Sequence, residues 1–189
     1  MINKLSFIAA VLILFSSSCF QAQDSRNAGD LQREAITKVE FLTGNWMGSE
    51  WLITPDGMKR TVESTDIAET KLNGTVILFQ GGVKAKFSES GDPVVVYEGL
   101  GMLSYNDKTQ KYRLQHYGTD GSYADYQCTL NGKTLLCEQA DNSGTINRVT
   151  ISVDENGQWV EKGERSLEGN QWLQYFETTM SKVAGEKID

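Results

Sequence analysis

Residues able to do nucleophilic or metal chemistry are few in this 189-residue chain: one histidine, His116, and three cysteines, Cys19, Cys128 and Cys137. His116 alternates with Tyr112 and Leu114, opposite Arg113, Gln115 and Tyr117, so the three share one face of a predicted strand. An imidazole on an apolar inner face can hydrogen-bond the head group of a ligand; the plainer reading is a satisfied or solvent-facing histidine. Cys128 and Cys137 flank Asn131-Gly132 on adjacent predicted strands. A two-residue turn sets Cys128 against Leu135, whereas a four-residue loop from Asn131 to Thr134 sets the two cysteines directly opposite. Both registers put them on one face. With Cys19 in the N-terminal segment, the remaining even pair predicts a hairpin disulfide, and two buried thiols are the alternative. A Cys–His nucleophile lacks an orienting third group.

The acidic residues Asp66, Glu69, Glu98, Asp125, Glu161, Glu164 and Glu177 fall on different predicted strands. They read as a solvated outer surface. The sharper reading, two carboxylates brought together for acid–base work such as glycoside hydrolysis, needs a fold that converges them. No Gly-x-Ser-x-Gly elbow, phosphate loop, His-Glu-x-x-His helix or calcium loop is present. Tyr97, Tyr112, Tyr126, Trp172 and Phe176 either fill an interior or line an apolar cavity, where tyrosine hydroxyls and His116 would orient a ligand.

The elements that must position these residues are strands. Turn signals recur at Pro55-Asp56-Gly57, Asn73-Gly74, Gly81-Gly82, Gly91-Asp92-Pro93, Asn106-Asp107, Asp120-Gly121, Asn131-Gly132, Asn142-Ser143-Gly144, Glu155-Asn156-Gly157 and Gly169-Asn170. Their spacing suits hairpins and leaves no room for helical crossovers, although Gly81-Gly82 also reads as a kink inside one strand. Val149, Ile151 and Val153 alternate with Arg148, Thr150 and Ser152, the period of a sheet with one apolar face. The expectation is an all-β chain, an antiparallel up-and-down β-barrel of about ten strands, with a two-sheet sandwich as the alternative. Ahead of it, Asp30 is placed to cap a short helix whose Leu31, Ala35, Val39 and Leu42 recur at helical spacing, a lid or plug for one end.

Lys4, an apolar run from Leu5 to Phe15, and Ser16-Ser17-Ser18-Cys19 have the layout of an export signal. Residues 1–23 are therefore expected to be removed, 24–40 to form a leader with the short helix, 41–183 the barrel, and 184–189 a tail. Cys19 after small residues resembles a lipoprotein site, with Ser16 departing from it; ordinary cleavage near Gln21-Ala22-Gln23 is the rival. Without Lys4 the chain keeps 17 basic and 25 acidic residues, which argues against nucleic acid and against electrostatic docking on anionic lipid. Periplasmic or extracellular placement, with membrane contact only through a lipid anchor, follows.

Leu42-Thr43-Gly44-Asn45-Trp46-Met47-Gly48 resembles the opening strand of the calycin group: lipocalins, fatty-acid-binding proteins and nitrobindin-like barrels. The run Glu98-Gly99-Leu100-Gly101-Met102-Leu103-Ser104-Tyr105-Asn106 with Lys111-Tyr112 looks like that of an uncharacterised bacterial family of secreted lipocalin-like proteins, from which Asn106 and His116 depart. The resemblance implies structural roles for Gly44, Trp46 and Gly48, with Lys182 laid over the indole. It also raises haem on His116, though the iron-binding histidine of nitrobindin-like barrels lies nearer the chain end, where this sequence has none. The reading is non-catalytic binding of a small, largely apolar or amphipathic molecule by a cofactor-free monomer or small homo-oligomer. A filled barrel acting as an envelope interaction module comes second, and an enzyme with acid–base residues in the mouth third.

Overall fold

Period-two alternation through most of the chain leaves one apolar face to bury, and in the computed structural model a single antiparallel sheet does so by closing on itself. Residues 29–86 and 91–184 are described; the export signal, the Cys19 site and nearly all of the tail lie outside them. The ten strands are β1 (Gly44–Ile53), β2 (Lys59–Lys71), β3 (Val76–Ala85), β4 (Val94–Asn106), β5 (Lys111–Gly118), β6 (Tyr123–Asn131), β7 (Thr134–Ala140), β8 (Ile146–Val153), β9 (Trp159–Ser166) and β10 (Leu173–Val183). Each pairs with its sequence neighbours, and β1 pairs with β10 to complete an up-and-down barrel. Gly81 and Gly82 lie within β3, so the kink reading replaces the turn. The β6–β7 turn is Gly132-Lys133, with Asn131 opposite Thr134, and this register puts Cys128 opposite Cys137, which are joined by a disulfide.

A short helix, α1 (Asp30–Thr37), plugs one end. Asp30 is its first residue rather than its cap, and its carboxylate pairs with Arg33; the capping position is Gly29 in a left-handed conformation. The buried stripe is Ala35, Ile36, Val39 and Leu42, so Ile36 takes the place predicted for Leu31, which is exposed. Full burial of Ile36, Val39 and Leu42 is worth ~1.5–3 kcal/mol per side chain over exposure, enough to hold so short a helix in place. Two hydrogen bonds tie the plug down: Trp46 Nε1 donates to the Leu42 carbonyl at 2.9 Å, and the Tyr112 hydroxyl to the Ala35 carbonyl at 2.8 Å.

Above the plug, Trp46 and Trp159 meet edge to face at 5.5 Å, and Phe79 meets Trp159 at 5.9 Å. The Lys182 ammonium stands 5.1 Å from the Trp46 ring centroid. Gly44 makes this possible, because a Cβ there would fall on Lys182 Cε.

Gly48 controls closure. A Cβ at this position would fall on the Thr179 carbonyl oxygen and 2.7 Å from Met180 Cα, both backbone atoms of β10. Flexible side chains can yield; a paired strand cannot. Gly48→Ala is expected to cost about 3 kcal/mol in urea unfolding. Gly57→Ala, at an open turn position with φ 78°, serves as the comparison and should cost about 1 kcal/mol. Equal losses for the two would remove the closure argument.

Candidate functional site

Sheet closure and the plug leave a cavity of about 1020 Å³ between the Trp159–Phe79 floor and the end of the barrel away from α1, where β1 ends and β2 begins. That mouth carries exposed Ile53, Met58, Val94, Leu167 and Leu173. The lower wall is apolar, with Leu114, Val149, Ile151 and Met180.

Of the residues predicted to line a ligand space, Tyr97, His116, Tyr126 and Phe176 do so. Two do not. Tyr112 points inward but sits at the closed end, buried against α1, where its hydroxyl is used by Ala35. Trp172 precedes β10 and lies outside the barrel under the Arg148 guanidinium, 3.5 Å from its ring centroid. A register shift between Gln174 and Phe176 instead delivers Tyr175 to the cavity beside Phe176, and the Phe176 ring lies across Gly163, where a Cβ would collide with it.

The acidic residues divide. Asp125 and Glu177 pair outside with Arg113 and Lys162, Glu164 approaches Arg148, and Glu69 pairs with Lys71. Asp66 and Glu161 correct the surface reading: both line the cavity, together with Glu50, which sequence reasoning passed over. The usable signal was parity with a buried indole. Glu50 follows Trp46 by four residues on β1, and Glu161 follows Trp159 by two on β9, so each shares the tryptophan's face.

Glu50 on β1 and Glu161 on β9 flank Thr178, to which both are registered across β10. Thr178 Oγ1 donates to Glu50 at 3.0 Å, and Trp159 Nε1 donates to Glu161 at 3.2 Å. Asp66 Oδ1 is closed off from solvent and accepts no hydrogen bond. Burial raises the Glu50 carboxyl, with Thr178 opposing, and pushes Asp66 up to about 7. Glu161 is pushed up to about 8, by burial first and then by the charges of Asp66 and Glu50. Asp66 and Glu161 thus hold protons near neutral pH, and Glu50 is shifted in the same direction.

Asp66 also begins a stretch of wall built over glycines, which continues through the neutral groups His116 and Tyr97. Gly81, Gly99 and Gly118 form one row across β3, β4 and β5. A Cβ on Gly81 would lie 2.7 Å from Asp66 Oδ2, and one on Gly99 2.6 Å from His116 Nε2; on Gly118 it would fall on the Tyr97 hydroxyl. The missing side chains therefore make room for three polar heads. Tyr97 and His116 stack, with the Tyr97 hydroxyl 3.4 Å from His116 Nε2. Burial lowers the imidazole, so it is neutral at pH 7, and raises the phenols of Tyr97, Tyr126 and Tyr175. Chemically the cavity offers apolar contact, hydroxyl and imidazole hydrogen bonds, and a cluster of proton-holding carboxyls.

Stability should record those protons. Asp66 and Glu161 ionise near 3.8 and 4.5 when unperturbed, but at about 7 and about 8 in the fold. Between those limits the folded state binds more protons than the unfolded chain, so stability falls as pH rises through the window and levels off above it. The Asp66→Asn/Glu161→Gln variant should lose this slope and melt several degrees higher than the wild-type protein at about pH 8. Parallel pH profiles in thermal melts would place the protons elsewhere.

No protein-family model matches the chain, and no curated protein is similar to it in sequence. Solved structures do share its shape. The crystal structure of Rv2717c from M. tuberculosis aligns at a TM-score of 0.53 and 10% identity, over 81% of this chain and 98% of that one. The S-type phycobiliprotein lyase CPES from Guillardia theta aligns at a TM-score of 0.55 and 9% identity, over 85% of this chain and 100% of that one. Likeness at this identity speaks for the fold alone. What is shared is the fold, a closed antiparallel β-barrel, which in this chain has ten strands in up-and-down order.

Proposed function

We propose that the protein binds a small, largely apolar molecule in the barrel lumen, as an exported, non-catalytic carrier. One observation carries the reading: the cavity of about 1020 Å³ is open at an apolar rim and floored by aromatic rings, well above the ~300 Å³ that a drug-sized ligand needs. Apolar burial supplies the affinity, and the few polar groups supply orientation. One of the structures that share the fold is named a phycobiliprotein lyase, which agrees with small-ligand handling but assigns no residue here. The cavity counts against the filled-barrel alternative.

A second reading, acid–base catalysis, is favoured by the raised carboxyls of Asp66 and Glu161. It requires the ligand to leave chemically altered. Haem is not part of either reading. His116 Nε2 is packed against Gly99 and lies 3.4 Å from the Tyr97 hydroxyl, so the residues in place do not fit an axial ligand with its nitrogen turned to the cavity centre.

Native mass spectrometry of protein purified from its own cell envelope should recover one small molecule per chain, unchanged after prolonged incubation. The Ala124→Trp variant, which fills the lumen from β6, should retain at least about ten-fold less. Folded wild-type protein that repeatedly comes out empty sinks the carrier reading, and a ligand converted by the protein favours the catalytic one. Haem titration is expected to give no Soret band that depends on His116. A band lost in His116→Ala would overturn that assignment.

A further inference from the structure

Among the described residues, the lumen carboxylates differ from the acids that cluster with basic side chains on the outside. Outside, Glu138 and Glu164 share Arg148, Asp125 holds Arg113, and Glu177 faces Lys162. Inside, Glu50, Asp66 and Glu161 come from three strands to one cavity, and among the described residues none of them has a lysine or arginine within ion-pair distance. Their six oxygens receive one hydrogen bond from Thr178 and one from Trp159, and Asp66 Oδ1 receives none. An enclosed acceptor without a donor costs ~1–3 kcal/mol, more when charged. Three carboxyls on one cavity, one without any donor and two with a single donor each, are a receptor for something that brings donors and positive charge.

We propose that the lumen selects an organic cation, a protonated amine on an apolar body, with the carboxylates of Glu50, Asp66 and Glu161 as its receptor. The inference rests on the lumen-binding reading and narrows its ligand class. An ammonium carries three donors and a charge, matching unfilled carboxylate oxygens. Trp159 and Phe79 are among the cavity-lining residues, and aromatic rings attract a cation where one lies over their faces. A fatty acid, the obvious rival for an apolar barrel, would bring a further carboxylate into a lining that already holds Glu50, Asp66, Asp120 and Glu161 and whose one guanidinium, Arg60, is paired with Asp56. A metal ion is disfavoured by geometry, since among the described residues no three acid, histidine or cysteine side chains converge tightly enough to hold one. An organic cation needs the carboxylates only around it. Phe79, Leu114, Val149 and Ile151 then take the apolar body.

Displacement of N-phenyl-1-naphthylamine, a neutral fluorophore that lights up in apolar cavities, tests this with decylamine, decanol and decanoate. These three share a chain length and differ in head group. Near neutral pH, decylamine should displace the fluorophore at about ten- to a hundred-fold lower concentration than decanol, with decanoate weakest. In the Glu50→Gln/Asp66→Asn/Glu161→Gln variant the amine's advantage should shrink to within about three-fold, while decanol binds as before. Equal binding of all three probes to the wild-type protein overturns the amine inference and leaves the lumen reading standing. If the fluorophore itself does not bind, both fail. Calorimetry of decylamine binding to the wild-type protein in two buffers of different ionisation enthalpy covers the case of a variant that does not fold. A cation binding among proton-holding carboxyls must release protons to the buffer, and proton uptake or no transfer overturns the inference.

Discussion

Everything in this molecule depends on the ladder between β1 and β10. It converts a ten-strand meander into a ring, and without it the inward side chains would face water on an open sheet. One parity of β1 carries the whole design from bottom to top. Trp46 seals the floor under Lys182, Gly48 admits the β10 backbone, Glu50 enters the polar cluster and Leu52 reaches the mouth. Closure, plug and site therefore share four positions on one strand, which is why the Gly-x-Trp-x-Gly opening matters to function although neither glycine is placed to touch a ligand.

A ring of ten strands encloses more space than its inward side chains must fill. At the closed end the surplus is taken up by α1, the paired tryptophans and the disulfide-linked β6–β7 hairpin. Higher up the opposite choice is made. The Gly81–Gly99–Gly118 row removes side chains from three adjacent strands, and the vacated wall is covered by the heads of Asp66, His116 and Tyr97 rather than by hydrocarbon. The same residue type thus does two jobs: at Gly48 it brings strands together, and in this row it lets polar groups lie flat against the wall.

What could be read in the sequence was parity, and what could not was height along the barrel axis. Alternation and turn chemistry located nearly every hairpin, and the motif located the closing strand and the Trp46–Lys182 contact. Tyr112 was correctly turned inward yet belongs to the plug, because nothing local says whether an inward residue is level with the helix or with the cavity. Trp172 misled for a different reason: a tryptophan near a strand start is normally buried, and here its ring is satisfied outside by Arg148. Asp66 and Glu161 were hidden by the rule that charged residues face water. That rule fails where a cavity stands between the inner face and a packed core, and Glu50, amid Gly48-Ser49-Glu50-Trp51, carried no other mark.

Carboxyls that must hold protons to be tolerated are a standing cost to the fold, and cheaper fillings were available at all three positions. Glutamine and asparagine have similar shapes without the charge; leucine at the Glu161 site would extend the surface already made by Ile151 and Trp159. On the outer surface several acids do have a basic partner, as Glu138 and Glu164 have in Arg148. Polar groups kept inside, unpaired and against a cavity, belong with function rather than folding. The neutral wall sharpens the contrast, for His116 and the tyrosines complete no ion pair with the acids and leave their charge to be answered from the cavity. The barrel's stability and its selectivity are therefore set by the same carboxyls acting in opposite directions, unfavourable when ionised in the empty lumen and favourable when a cation stands among them.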